Sequence, residues 1–134
     1  MKIQPDFGFG LDTTIAFDVP GAKEHEMVTR LGEGTAIKIM DSSTICDYRM
    51  VNFMRDTARK HKIRFQEEIL PAGGTDTAGI QRMTAGGAIS GAISIPTRHI
   101  HQVIEMADKS DIRASIDLLK SCIMDLDKYD WGFK

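Results

Sequence analysis

Two histidines separated by one isoleucine, in "HIHQVIEM" from residue 99, follow a run of small and β-branched residues, "AISGAISIP" from residue 88. Imidazole ligates metals and moves protons near neutral pH, so a strand that ends at His99 and His101 delivers usable chemistry to one place. In extended geometry the two rings face opposite sides of the chain around Ile100, and one can enter a site while the other meets solvent. Carboxylates that could join them are Asp12 and Asp18, whose even spacing keeps them on one side of a strand, and Asp41 and Asp76, which follow strand ends. In open α/β sheets the ligand crevice lies beyond the carboxyl ends of strands, which favours Asp18 over Asp12. The stretch "LPAGGTD" leads glycines into a helix and would aim free N–H groups at an anion or a carbonyl oxygen. Nucleotide binding there would lack the lysine of a P-loop. Each candidate also has an ordinary use: Asp18 and Asp41 as turn caps, Asp76 as a first-turn residue. The chain has neither an HExxH nor a CxxC motif, so spacing alone defines no metal site.

The elements that must hold these residues alternate. "LDTTIAFDVPG" (11–21) is β-branched and ends in a Pro-Gly turn, and "TAIKIM" (35–40) is a second strand. Asp47 caps a helix to about Lys60, with Met50, Val51, Met54 and Ala58 on one face. "IRFQEEIL" (63–70) alternates, which predicts one face near water carrying Arg64, Gln66 and Glu68. "GGTDTAGIQRMTAGG" is a short helix between glycines. "AISGAISIP" is uncharged on both sides, so it is a central strand whose small-residue face lets a helix pack close. The last helix takes Ser110 as its cap and buries Ile112, Ile116, Leu119, Ile123 and Leu126. The tail "DKYDWGFK" frays or docks through Trp131. Strands alternating with helices predict an α/β fold: a mostly parallel mixed sheet with helices on both faces.

With 134 residues the chain makes a single domain, 1–134, without repeat or linker. A net charge of -2 gives no basic surface for nucleic acid, and no apolar run is long enough for a membrane span. The opening "MKIQPDFGFG" is unlike a signal peptide, and Cys46 and Cys122 are expected as two buried free thiols in a reducing cytoplasm.

Four separated segments, "LDTTIAFDVPG", "AIKIMDSSTI", "ILPAGGTDTAGI" and "ISIPTRHIHQVIEM", resemble in order and spacing the tetrahedral aminopeptidase family. Its members are cytosolic glutamyl, deblocking or leucyl aminopeptidases with two metals. The resemblance runs from about residue 4 to 124 and implies the C-terminal part of a zinc-peptidase-like catalytic domain, without the family's inserted β-barrel domain. It implies metal ligation by Asp12, from the family's "DVT-A-D-PG" strand, and by His101, from its "R-Y-I-H" segment. This choice overrides the crevice rule's preference for Asp18. Gly73, Gly74, Thr75 and Asp76 would line the substrate groove, and Glu105 would orient His101 from behind. Gln102 and Val103 stand where the family has Ser-Pro.

In the complete family site two divalent ions, zinc or cobalt, roughly 3.5–4 Å apart activate a water, and a glutamate carries its proton. The remaining ligands, the bridging aspartate and that glutamate lie upstream of the matched stretch. The resemblance therefore implies an aminopeptidase acting on peptides as a homo-oligomer, of which this chain alone binds metal weakly at most and is inactive. The alternative it leaves is a truncated relative serving as an assembly or regulatory module.

Overall fold

The computed structural model describes residues 3–133. Its strands are β1 (Phe7–Ile15), β2 (Thr35–Met40), β3 (Phe65–Ile69), β4 (Ile89–Arg98) and β5 (Met106–Ala107). The helices are α1 (Tyr48–Lys60), α2 (Thr77–Met83) and α3 (Lys109–Asp125). One sheet runs in the order β1-β4-β2-β3, with β5 on the end of β4. β1 lies parallel to β4 and β2 parallel to β3, while β2 and β5 run antiparallel to β4. The mostly parallel mixed sheet with helices on both faces is as expected. β4 holds its centre because nothing before Arg98 carries a charge, so both faces can be covered.

Side-chain alternation divides the labour between the faces. On one, Ile37 and Ile93 meet Met50, Phe53 and Met54 of α1 and Leu118 and Cys122 of α3, all buried. Gly91 makes room for α1, since a Cβ there would lie 2.7 Å from Met50 Cγ. The other face carries Gly8 and Gly10 beside Ser90 and Ala92. Here α2 packs so closely that a Cβ on Gly10 would collide with Thr77 Oγ1. α2 is only seven residues long, and it leaves the Asp12 and Thr14 end of this face open. That open end is the cleft described below.

The expected first strand shifts towards the N-terminus: it starts at Phe7 and ends at Ile15, where Ala16 bridges to Thr29. The glycines that α2 requires are therefore strand residues, and Asp18 lies beyond the strand. Asp47 caps α1, accepting the Arg49 N–H at 2.9 Å. Ser110 does not cap α3; Asp108 does, and Ser110 donates its N–H and hydroxyl to Asp108 Oδ1. The buried face of α3 is Asp111, Ser115, Leu118, Cys122 and Asp125, with Leu119 and Leu126 partly covered. Ile112, Ile116 and Ile123, expected inside, point outwards. Polar partners set this rotation. The Asp111 carboxylate accepts from Gly32 and Gly34 N–H at 2.7 and 2.8 Å, and the Ser115 hydroxyl meets Thr35 Oγ1 at 2.8 Å.

The tail docks as anticipated. Trp131 packs on Phe7, Phe53 and Tyr129 with centroids 4.5–5.0 Å apart, and its Nε1 donates to Leu126 O. Both thiols are free and buried; burial pushes Cys46 up to about 11 and Cys122 up to about 12. Among the described residues, no helix is long and apolar enough to cross a membrane.

Candidate functional site

A cleft of about 280 Å³ opens between the end of β1, the loop after β3 and the turn after β4. Asp12, Thr13, Gly73, Gly74, Thr75 and His101 line it. Asp12 faces it because it shares its side of β1 with Gly8 and Gly10, just past the part that α2 covers. His101 reaches it by a route the sequence pattern did not suggest. β4 stops at Arg98, and His99 and His101 then take left-handed backbone, φ 59° and 65°. The chain turns instead of remaining extended, with Gln102 N–H bonded to His99 O at 3.1 Å. Glu105 holds this turn: its carboxylate accepts the His101 backbone N–H at 2.6 Å. Its contact is thus with the backbone of His101, not the ring.

The glycine wall is fixed by the neighbouring turn. Gly73 O accepts from the Ser42 N–H at 3.1 Å and from the Ser42 hydroxyl, and Gly74 sits against the Ser43 side chain. Asp41 organises that turn, accepting the Ser43 N–H and hydroxyl, the Thr44 N–H and, at 3.2 Å, the Thr75 hydroxyl. Burial alone would raise the Asp41 pKa, but the Ser43 bonds, nearby Lys38 and the Thr44 N–H outweigh it and hold the carboxyl below the usual range. Asp76, expected in the groove, heads α2 with an exposed side chain and is not part of the cleft wall.

At the floor of the cleft lies a charge network in which the candidate Asp41 is joined by Lys38 and Glu68, neither of which was among the expected site residues. Lys38 Nζ is 2.5 Å from Glu68 Oε1 and 3.6 Å from Asp41 Oδ2, with all three side chains fully removed from solvent. The Thr14 hydroxyl donates to the same Glu68 oxygen at 2.6 Å. Glu68 was expected on a wetted strand face. It is buried because β3 pairs with β2 in a register that sets it beside Lys38, while Ile69 is the residue left exposed. A lysine inside the β-branched run "TAIKIM", opposite an alternating Glu, was the available signal. Glu68 Oε2 and Ser94 Oγ, both on this face, are buried without a protein partner.

Asp18, the rival carboxylate, is committed elsewhere. It forms a paired contact with Arg98 at 2.7 and 2.8 Å and accepts the Leu31 N–H. The Arg98 bonds hold its pKa below the ordinary value.

Among the described residues, no three His, Cys, Asp or Glu side chains are grouped to hold a metal. Asp12 and His101 are two donors on one cleft. A catalytic zinc is held by three protein ligands, so these residues alone do not fit a resident metal.

The mixed sheet thus brings a carboxylate and an imidazole to one glycine-walled cleft. Residues 1–118 match the model of the M42 glutamyl aminopeptidase family, and the chain belongs to that family. A relative from Acetivibrio thermocellus is 41% identical over 122 residues, which cover 91% of this chain and 36% of that protein. The solved aminopeptidase of the archaeon Desulfurococcus kamchatkensis superimposes with a TM-score of 0.88 at 37% identity, over 91% of this chain and 35% of the other. A Pyrococcus horikoshii peptidase, which can assemble into a tetrahedron or a large octahedral shell, shares the fold with a TM-score of 0.73 at 23% identity, over 88% and 33%. The chain thus spans about a third of the length of the relatives it matches, consistent with the C-terminal part of the family's catalytic domain.

Proposed function

We propose that this chain contributes one part of a cytoplasmic metallo-aminopeptidase that removes N-terminal residues from peptides. Asp12 and His101 serve as metal ligands and Gly73, Gly74 and Thr75 as a wall of the peptide groove. The observation that carries this reading is the meeting of Asp12, His101 and the glycine loop around a single cleft in an M42 family chain. Glu105 acts by fixing the backbone at His101. Bound divalent ions, zinc or cobalt, would supply the activation of water and the polarisation of the scissile carbonyl. A third ligand and a general base must come from residues outside this chain. Asp76 remains a candidate for the peptide's path at the exposed head of α2. Assembly into homo-oligomers is expected on the pattern of the Pyrococcus horikoshii relative.

Hydrolysis of aminoacyl p-nitroanilides tests this. The chain alone should be inactive, and a fusion placing the preceding region of the Acetivibrio thermocellus relative ahead of it should show metal-dependent turnover that His101→Ala abolishes. Turnover by the chain alone would overturn its partial role, and an inactive, folded, metal-loaded fusion would overturn the aminopeptidase reading. A second reading, a non-catalytic assembly module, is favoured by the exposed apolar face of α3.

A further inference from the structure

The end of β1 and the glycine loop after β3 form two walls of the cleft, and one buried ammonium reaches the supports of both. On the β1 side, the Thr14 hydroxyl donates to Glu68 Oε1 at 2.6 Å, and Lys38 Nζ lies 2.5 Å from the same oxygen. On the loop side, Lys38 Nζ lies 3.6 Å from Asp41 Oδ2, and the Thr75 hydroxyl donates to that same oxygen at 3.2 Å. A continuous line of polar contacts therefore crosses the floor of the cleft, and each carboxylate is shared through a single oxygen. Thr14 and Thr75, at its two ends, both line the cleft.

Both ends carry residues of the site. Thr14 stands two positions after Asp12 on the same side of β1, and Asp12 is exposed, so its strand places its carboxylate. Asp41 fixes the turn whose Ser42 N–H binds Gly73 O. The sheet ladder does not hold the two walls together by itself. β4 and β2 separate β1 from β3, and β3 stops at Ile69, ahead of the glycines. Nor does stability account for the network: apolar side chains of similar volume often replace a buried ion pair without loss, while paired charges restrict how the groups around them are arranged.

We propose that Lys38 is a positioning residue that ties the Asp12 wall of the cleft to the Gly73–Thr75 wall. Its side chain is fully buried, so it acts through Glu68 and Thr14 on one side and through Asp41 and Thr75 on the other. The tie fixes the separation of the two walls, so that a peptide lying on the glycine loop presents its scissile carbonyl to the metal that Asp12 helps to hold. This role in hydrolysis rests on the functional reading above; the tie across the cleft does not.

The tie is read on this chain alone. Thr14→Val removes the hydroxyl and keeps the side chain's shape, and amide NMR signals of Gly73, Gly74 and Thr75 should shift in response. Those shifts should vanish when Thr14→Val is placed in the double variant Lys38→Met with Glu68→Leu, which removes the intervening charges. Shifts confined to β1 and β4, or equal in both backgrounds, would overturn the tie. If the double variant does not fold, Thr14→Val decides by itself, and unmoved glycine-loop signals overturn it. Hydrolysis is measured on the fusion with the preceding region of the Acetivibrio thermocellus relative. The double variant should lower kcat about ten-fold or more while KM stays within about three-fold, and Thr14→Val should act in the same direction. Leu118→Ala, a core truncation on the opposite face of the sheet, should leave kcat within about two-fold in the folded fusion. Unchanged kcat in the network variants, or an equal fall in Leu118→Ala, would overturn the positioning role. A fusion without hydrolysis removes the aminopeptidase reading, while shifted glycine-loop signals in the chain still establish the tie.

Discussion

Lys38 Nζ lies 2.5 Å from Glu68 Oε1, and neither side chain touches solvent. The pair joins the two parallel strands β2 and β3 beneath the cleft, with the Thr14 hydroxyl on the same carboxylate oxygen and Asp41 3.6 Å from the ammonium. Removing one member of a buried pair leaves an uncompensated charge, and that cost exceeds what the intact pair contributes. Lys38→Met should therefore destabilise the chain by about 3–5 kcal/mol in urea unfolding. The double variant Lys38→Met with Glu68→Leu should recover a large part of that loss, and a double-mutant cycle measures the coupling. Additive losses would mean that the two groups do not interact as described.

Asp41 makes the turn that fixes the glycine wall sensitive to acid. Its folded pKa is held below the ordinary 3.8 by Ser43, Lys38 and Thr44 against the opposing effect of burial. A depressed carboxyl contributes stability that is complete above its unfolded pKa and lost as pH falls through the folded one. Asp18, held down by Arg98, adds to the same trend. Urea midpoints should stay flat from neutral pH to about 5 and decline below about 4, where these groups protonate in the unfolded chain. Asp41→Asn should cost about 1.5–3 kcal/mol at neutral pH and show a shallower acid decline.

Gly10 tests the seat of α2. A methyl group there would run into Thr77 Oγ1 of the first helical residue, and Thr77 is fully buried. Gly10→Ala should destabilise by about 1–3 kcal/mol through overpacking. Combining it with Thr77→Ala should relieve part of that loss. Gly79→Ala, with open space around its Cβ position, should be neutral or stabilising because alanine favours helix.

Much of this fold could be read from residue pattern alone. α1 follows from Asp47 and the spacing of Met50, Val51, Met54 and Ala58, because one apolar stripe meets one sheet face. β4 follows from its uncharged length. α3 was recognised as a helix but with the wrong face inward. Isoleucine periodicity is overridden where Asp111 and Ser115 find buried partners across the chain, and no local pattern reveals a partner 77 to 80 residues away. The same isoleucines line a groove on the outer side of α3. Glu68 was misplaced for a related reason: alternation assigns a side, but only the β2 register shows that Lys38 shares it.

At the site, the resemblance selects Asp12 over Asp18, and the two carboxylates lie in different surroundings. Asp12 opens on the cleft, while Asp18 is bound to Arg98. His101 was reached by the motif and not by strand parity, since the two left-handed residues break the alternation that the "HIH" spacing implies. Glu105 was expected behind the imidazole and instead holds the turn from the backbone.

The central claim is that Asp12 and His101 are two ligands of a metal site that this chain leaves incomplete, and metal content tests it most directly. Elemental analysis with intact mass, on the dialysed chain and on the fusion carrying the upstream region, gives the number of ions per polypeptide. The account predicts well under one divalent ion for the chain alone and about two for the fusion. Asp12→Asn and His101→Ala should each lower that occupancy without unfolding the protein, because both side chains are exposed. Two tightly held ions in the isolated chain, or a fusion whose metal content ignores both substitutions, would contradict it.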